Sequence, residues 1–600
     1  MPASQFYGYQ ALQSHPCAVV ELDYAILPAI DESNIDQWLT EFCGIKAETL
    51  PALAQLPQAS NNRQANFVFA RALALYGSWL DFVGMPCVSA GKVARVSPVD
   101  GQDGKLRVLI AFAVLDSMPV AMFARYLRVA LELVRDRFSQ KPDAGKAEEL
   151  LKQVSDSVID EMKQQIPFSY GGDSIIHEMA RQDVPYRHLG LGIMRIGWGS
   201  RSRLIKVSNS DADSQIGKEI CGMKHRTSQI LCGAGLPGVE NYLASSVDEA
   251  LAIAKAIGWP VVVKPPHRER SEGVTTLIGT EAELRAAYDL ASEYDQRVVV
   301  ERHQPGRCYR IYVVGGKMIY AVRRLPQRVT GDGKQTIAEL VEEANIKAFV
   351  FPPWKRYAPC ALNEVAQQTL ARQELAFDSV PAEGQHADLR SIDSHDFGGN
   401  VENVMDEIHP DNVDLAIRAT KLIGMSICGV DLMSTDISKP WHQNGAVINE
   451  MNFGPAFRSS KREEQAAQVV SAFIEGDGRI PVHLVTGAGD ILAASRKLKS
   501  SLGKEGAGLH IVTLDHCEDA NGQDVHLPAG TLFERSLALT LQPDVDGFIM
   551  AGVWPDLFKG GFAVDKLQSV AAANCDEDTA TKLFEAIRSQ VVVETCQRLT

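Results

Sequence analysis

No apolar run in the 600 residues is long enough to cross a bilayer, so a helical membrane protein is not expected. Positive charge is not in excess either. Sixty Lys and Arg stand against 75 Asp and Glu, a formal net charge of −15, which argues against a nucleic-acid partner. The 11 cysteines contain no C-x-x-C pair, so neither a zinc site nor a disulfide framework is expected, and free thiols fit a reducing cytoplasm. The opening MPASQFYGYQALQ has no basic start and no long apolar stretch, so no signal peptide and no membrane partner are expected. Low-complexity segments and short repeats are absent. What is there is the composition of a globular protein, 45% apolar and 22% charged, in a chain long enough for three or four domains.

The most informative stretch runs from Val261 to Lys334. Val261–Val263 reads as a strand, and Lys264 leaves it into a loop. Val298–Val300 reads as a second strand closed by Glu301, and Gly315-Gly316 turns a hairpin between two more. A lysine at a strand end suits a phosphate. A glutamate followed by free backbone groups, here those of Arg302 and His303, suits the amino edge of an adenine. Ordinary solvated strand ends are the alternative for Lys264 and Glu301. Arg310, in Y-R-I-Y, falls on the face opposite Tyr309 and Ile311.

Farther on, Asp431 follows ICGV, and VINEMN carries Glu450 and Asn452 two residues apart, hence on one side of a strand. Two carboxylates and an amide oxygen are hard ligands of the kind Mg²⁺ takes beside nucleotide phosphates. Alone, E-x-N is a weak signal; downstream of V-K-P and V-E-R it is a strong one.

VVVKPP, VVVERHQPGRCYRIYVVGGK, VTGDGKQTIAELVEEAN, DEIHPDNVDLAIRATKLIGMSICGVDLM and VINEMNFGPAFR together resemble the ATP-grasp ligases, and within them cyanophycin synthetase. The resemblance runs almost unbroken from Lys218 to Arg458. It implies ATP and Mg²⁺ as cofactors and an amino-acid or peptide substrate. Asp431, Glu450 and Asn452 would hold the metal. Lys224, Lys264, Glu301, Arg302, His303 and Cys308 would bind the nucleotide. Arg310 would face the substrate carboxylate or its acyl phosphate, with Lys264 stabilising the developing charge. Departures stand out. The loop PPHRERSEGVT has lost most of its glycines to His267, Arg268, Glu269 and Arg270. Cys308 replaces an acid that bonds the ribose. His395, Asp396 and Phe397 replace a small hydroxyl-rich turn that helps bind the acyl acceptor.

The resemblance also sets the expected architecture, a multidomain α/β and α+β protein. Residues 1–205 would bind substrate or polymer, with Ser174 touching the chain or capping a helix. Within them Cys17–Leu27 and Lys105–Val114 read as strands, and Ser60–Phe82, Met118–Phe138 and Ala147–Gln165 as helices. No H-x-x-E-H run precedes residue 170, so the hydrolytic site of some family members is not expected. Residues 206–478 would be the ATP-grasp ligase region. Residues 479–600 look like the opening of a Mur-ligase ATPase domain that stops at Thr600. Its loop, Gly487-Ala488-Gly489-Asp490-Ile491, lacks the phosphate-binding lysine and offers an aspartate instead. The expected reaction is ATP-dependent amide formation through an acyl phosphate, possible substrates including β-aspartyl-arginine dipeptides. The competing expectation is an impaired relative that binds nucleotide or peptide as a partner subunit. A homodimer or homotetramer is expected from the resemblance.

Overall fold

The computed structural model describes residues 17–27, 30–50, 60–85, 91–115, 118–165, 175, 178–179, 181–206, 208–267, 273–348, 350–356, 359–390, 399–455, 462–528, 530–557, 561–589 and 591–599. The fold is mixed α/β and multidomain, with several separate sheets. It divides into two compact units. One comprises Met1–Val207, Phe351–Trp354 and Phe473–Thr600; the other comprises Ser208–Val350 and Lys355–Ala472. Among the described residues no helix is long and apolar enough to cross a membrane.

The first unit holds two main sheets. In one, Lys105–Ala113 lies between Cys17–Ala25 and Gly91–Pro98, antiparallel to both. Alternating Leu106, Val108, Ile110 and Phe112 pack into a core with Phe67, Tyr76 and Trp79 of the Ser60–Phe82 helix. The two expected later helices form with interruptions. Val120–Glu132 runs into a π turn at Leu133–Arg137, and Ala144–Val154 reaches Asp160–Gln165 through another at Ser155–Ile159. In the other sheet the strands lie in the order Cys517–Glu518, His510–Val512, Phe548–Ala551, Val482–Gly487, Lys566–Ala573, Val592–Leu599, all parallel but the first. Near-continuous apolar runs mark its central strands, as burial on both faces requires. Trp198 joins this core, and Gly199 (φ 53°) lies so close that a Cβ there would meet Val545 O at 2.2 Å.

The second unit carries the residues of interest on two antiparallel sheets. The smaller has the order Thr275–Ile278, Val261–Lys264, Val298–Arg302, Asn241–Ala244. Helices Val247–Ile257 and Glu281–Ser292 cover its apolar face. Ser246 caps the first by accepting from Glu249 N, and Gly258 ends it. The larger has the order Asn400–Asn403, Lys317–Leu325, Arg307–Val314, Ile427–Ser434, Val447–Asn452. Gly315 and Gly316, both at positive φ, turn the hairpin at its centre. Tyr309, Ile311, Val313, Cys428, Val430 and Leu432 alternate onto one face and pack against the Pro410–Leu422 helix. The opposite face is therefore left to Arg310, Tyr312 and Asp431.

Candidate functional site

Register builds the centre of that opposite face. Arg310 stands directly across from Asp431, and Asp431 directly across from Glu450. A bulge makes the second pairing possible. Leu432 pairs with Ile448 and Asp431 with Glu450, so Asn449 is the extra residue. Ile448 stays in the core while Glu450 and Asn452 turn to the side of Asp431.

Asp431 is 1% exposed and accepts from four donors. Arg310 grips it in two places, Nε to Oδ1 and Nη2 to Oδ2, both at 2.7 Å. Arg324 Nη1 reaches Oδ2 at 3.3 Å and Asn452 Nδ2 reaches the same oxygen at 3.4 Å. Burial pushes the Asp431 carboxyl up, but the two guanidinium groups outweigh it and hold the carboxyl below its usual range. Burial likewise disfavours the Arg310 cation, and the charge of Asp431 reverses that effect. Glu450 has its own cation, Lys224 Nζ at 3.1 Å, presented by the first residue of the Lys224–Gly233 helix. Tyr312, two residues from Arg310 on the same face, and Tyr320 have ring centroids 5.9 Å apart with planes tilted by 35°, and burial pushes the Tyr312 hydroxyl up.

Lys264 and Glu301 form a second centre on the smaller sheet. Lys264 pairs across with Val299, so it shares a face with Glu301 two residues on. Their charged ends meet at 2.6 Å, both side chains buried. Lys264 is thus the last residue of a strand and not the first of a loop, and neither residue is a solvated strand end. The backbone donors after Glu301 are not free as expected: Arg302 N donates to Glu240 O and His303 N to Pro260 O. Their carbonyls are what this segment has to offer an amino group. Burial lowers the imidazole of His303, with Glu301 opposing it. Asn241 faces Glu301 across the strands, and its Oδ1 and the Nδ1 of His225 are buried without a partner among the described residues.

Cys308 is 8% exposed and lies on the Arg310 strand opposite Met433. Ser174, His395, Asp396 and Phe397 lie outside the described residues, as do Arg268, Glu269 and Arg270. Arg324 was not anticipated. The sequence did not signal it: a bulge at Ile319 shifts the hairpin so that Val322 pairs with Arg310, which puts Arg324, two residues farther on, on that face.

The donor set at Asp431, Glu450 and Asn452 fits a magnesium ion in kind, being hard oxygens brought together on neighbouring strands. It is small. No group of three or more His, Cys, Asp or Glu among the described residues could hold a metal alone. A cation here would draw its remaining ligands from phosphate and water.

A mixed α/β fold with clustered carboxylates and cations on an antiparallel face points first to a class. Residues 239–334, which include Lys264, Glu301, Arg310 and Arg324, match the family described as D-ala D-ala ligase C-terminus. More particularly, the chain is similar to cyanophycin synthetases. It is 31% identical over 354 residues to that of Trichormus variabilis, covering 57% of this chain and 39% of the relative. To the glutathione biosynthesis bifunctional protein GshAB of Mannheimia succiniciproducens it is 33% identical over 273 residues, covering 44% and 36%. These homologues are ligases. Among solved structures, the bifunctional glutathione synthetase from Pasteurella multocida is 23% identical with a TM-score of 0.38, covering 58% of this chain and 52% of that one. The chain spans 39% of the length of the first of these curated relatives and 36% of the second.

Proposed function

We propose that the chain is an ATP-dependent carboxylate–amine ligase whose chemistry takes place on the Arg310–Asp431 face. In this reading residues 1–205 bind substrate, residues 206–478 are the ligase region and residues 479–600 take no part in the chemistry. One observation carries the proposal: a single sheet face gathers Asp431, Glu450 and Asn452 with Arg310, Arg324 and Lys224, in a chain whose homologues are ligases.

The reaction joins two substrates. A carboxylate oxygen bonds to the γ-phosphorus of ATP as the bond to ADP breaks. An amine nitrogen then bonds to the acyl carbon and loses a proton, and phosphate leaves. No side-chain nucleophile is required. Lys224, Lys264 and Arg310 orient phosphate oxygens and hold positive charge where negative charge develops, and Arg324 adds to them. Magnesium, when bound by Asp431, Glu450 and Asn452, would offset charge on the phosphoryl group in transit. Glu301, Arg302 and His303 receive the adenine edge, and Cys308 faces the ribose as a weaker acceptor than a carboxylate.

We take amino acids or short peptides as the substrates, β-aspartyl-arginine among them, a reading that the similarity to cyanophycin synthetase supports. We assign their recognition to Ser174, His395, Asp396 and Phe397. One feature favours a second reading, a partner subunit that binds nucleotide without turning it over: Cys308 stands in place of an acid. Phosphate release from ATP and Mg²⁺ separates the two. It is measured with a panel of amino acids and dipeptides, comparing β-aspartyl-arginine with free aspartate plus arginine. Substrate-dependent release supports the ligase; nucleotide binding with no release under any condition supports the partner subunit.

A further inference from the structure

The carboxylates that would hold a metal are already occupied by the cations that would hold phosphate. Oδ1 of Asp431 accepts from Arg310 Nε, and Oδ2 from Arg310 Nη2, Arg324 Nη1 and Asn452 Nδ2, so a guanidinium engages each oxygen. Glu450 is engaged by Lys224 at 3.1 Å. A divalent cation at either oxygen of Asp431 therefore competes with a guanidinium for the charge of the carboxylate.

Consider each ligand arriving alone. The metal pushes Arg310 off Asp431 and leaves its guanidinium, 17% exposed, without its anion. Arg324 then repels the incoming charge. A polyphosphate alone draws Arg310 away and leaves the buried Asp431 with only its longer contacts to Arg324 and Asn452, and a buried charge stripped of its closest partner is costly. The other carboxylate repels it as well. When both arrive, neither penalty remains: the carboxylate passes from guanidinium to metal, and the guanidinium passes from carboxylate to phosphate. The small number of protein ligands adds to this, because the metal needs phosphate oxygens to complete its shell.

We propose that Arg310 and Arg324 are exchangeable counter-ions of Asp431 that couple divalent-cation binding to polyphosphate binding, so that neither ligand binds tightly without the other. The coupling is reciprocal. It rests on the ligase reading, and it makes the metal-free, nucleotide-free face a closed set of ion pairs.

The test is Mn²⁺ binding to the full chain, read from the electron paramagnetic resonance of free Mn²⁺, with and without ADP. Removing a competing charge-assisted bond should raise metal affinity in the absence of nucleotide. Arg324→Met is expected to raise it about tenfold and Arg310→Met more, while both weaken ADP binding at saturating Mn²⁺. Metal-alone affinity that is unchanged or lower in the variants, with wild type still binding Mn²⁺ and ADP together, overturns the coupling and leaves the ligase reading standing. Wild type that binds no ADP with Mn²⁺ overturns both. Should Arg310→Met fail to fold, Arg324→Met decides the matter, since that side chain makes one 3.3 Å contact with Asp431.

Discussion

In the six-stranded sheet, the loop after Val482–Gly487 closes on its own chain. Ala488 N donates to Ala573 O at 3.1 Å, and Asn574 Nδ2 donates to Ala488 O at 2.9 Å. Asp490 caps the following helix, Ile491–Ser501, by accepting from Ala493 N at 2.9 Å. A Cβ at Gly487 would meet Ala573 O at 2.0 Å, so the loop and its neighbour are in contact at the backbone. The helix N-terminus thus faces a carboxylate of its own chain, and a phosphate there would meet like charge. In the five-stranded sheet the polar groups are also satisfied, but by ion pairs between side chains. Long side chains can change partners where backbone bonds cannot. Both places resemble nucleotide sites in sequence; our proposal places ligand binding at the one held by exchangeable pairs.

The largest effect should come from breaking the five-stranded face. Glu450→Gln is expected to lower ATP-dependent ligation on the order of 10³-fold, because it removes a ligand charge worth several kcal/mol to the transferring phosphoryl group. Its circular dichroism and melting curve should match wild type. Near-normal ligation would remove Glu450 from the metal set.

Next comes the Lys264–Glu301 pair. Lys264→Met leaves Glu301 buried without its cation and should destabilise the chain by about 3 kcal/mol in urea unfolding. Adding Glu301→Gln should restore much of that stability but not ATP use. Recovery of both would make the pair purely structural.

A smaller effect is expected at the six-stranded sheet. Asp490→Ala removes a helix cap and should lower stability by about 1 kcal/mol, with ligation unchanged. A loss of ligation by a folded variant would show that this loop takes part in the chemistry after all.

The smallest concerns pH. Burial holds the imidazole of His483 below its usual value, against the opposing charge of Glu505, while Nδ1 lies 2.8 Å from Ser569 Oγ. A depressed folded value means that the contribution is full above the unfolded pKa of about 6.5 and is lost as pH falls below it. Unfolding midpoints at pH 8 and pH 5 should therefore differ less in His483→Asn than in wild type. An equal difference would assign the acid sensitivity to other groups.

Local pattern was enough for several elements. Ser60–Phe82 forms the expected helix, its apolar spacing marking it. The Gly315-Gly316 turn and the outward side of Arg310 follow from strand alternation. Partnership was not legible in the same way. Arg310 and Asp431 are 121 residues apart, and their pairing depends on the register of strands that meet only in the fold. The bulge at Asn449 is invisible in VINEMN, yet it turns Glu450 to the site while Ile448 stays in the core. The amides of Arg302 and His303 looked available because Glu240 and Pro260, which accept from them, are remote in sequence. Likewise, nothing local in Phe473–Thr600 signals that it clusters with Met1–Val207.

The central claim is that a substrate carboxylate attacks ATP on the Arg310–Asp431 face. The most direct measurement uses a substrate with ¹⁸O at both carboxylate oxygens, with mass analysis of the phosphate released by wild type and by Asp431→Asn. The account predicts one labelled oxygen in each phosphate formed by wild type, carried over when the amine displaces it, and no such phosphate from the variant. Unlabelled phosphate from wild type would mean that water, not the carboxylate, attacks, and would contradict the account.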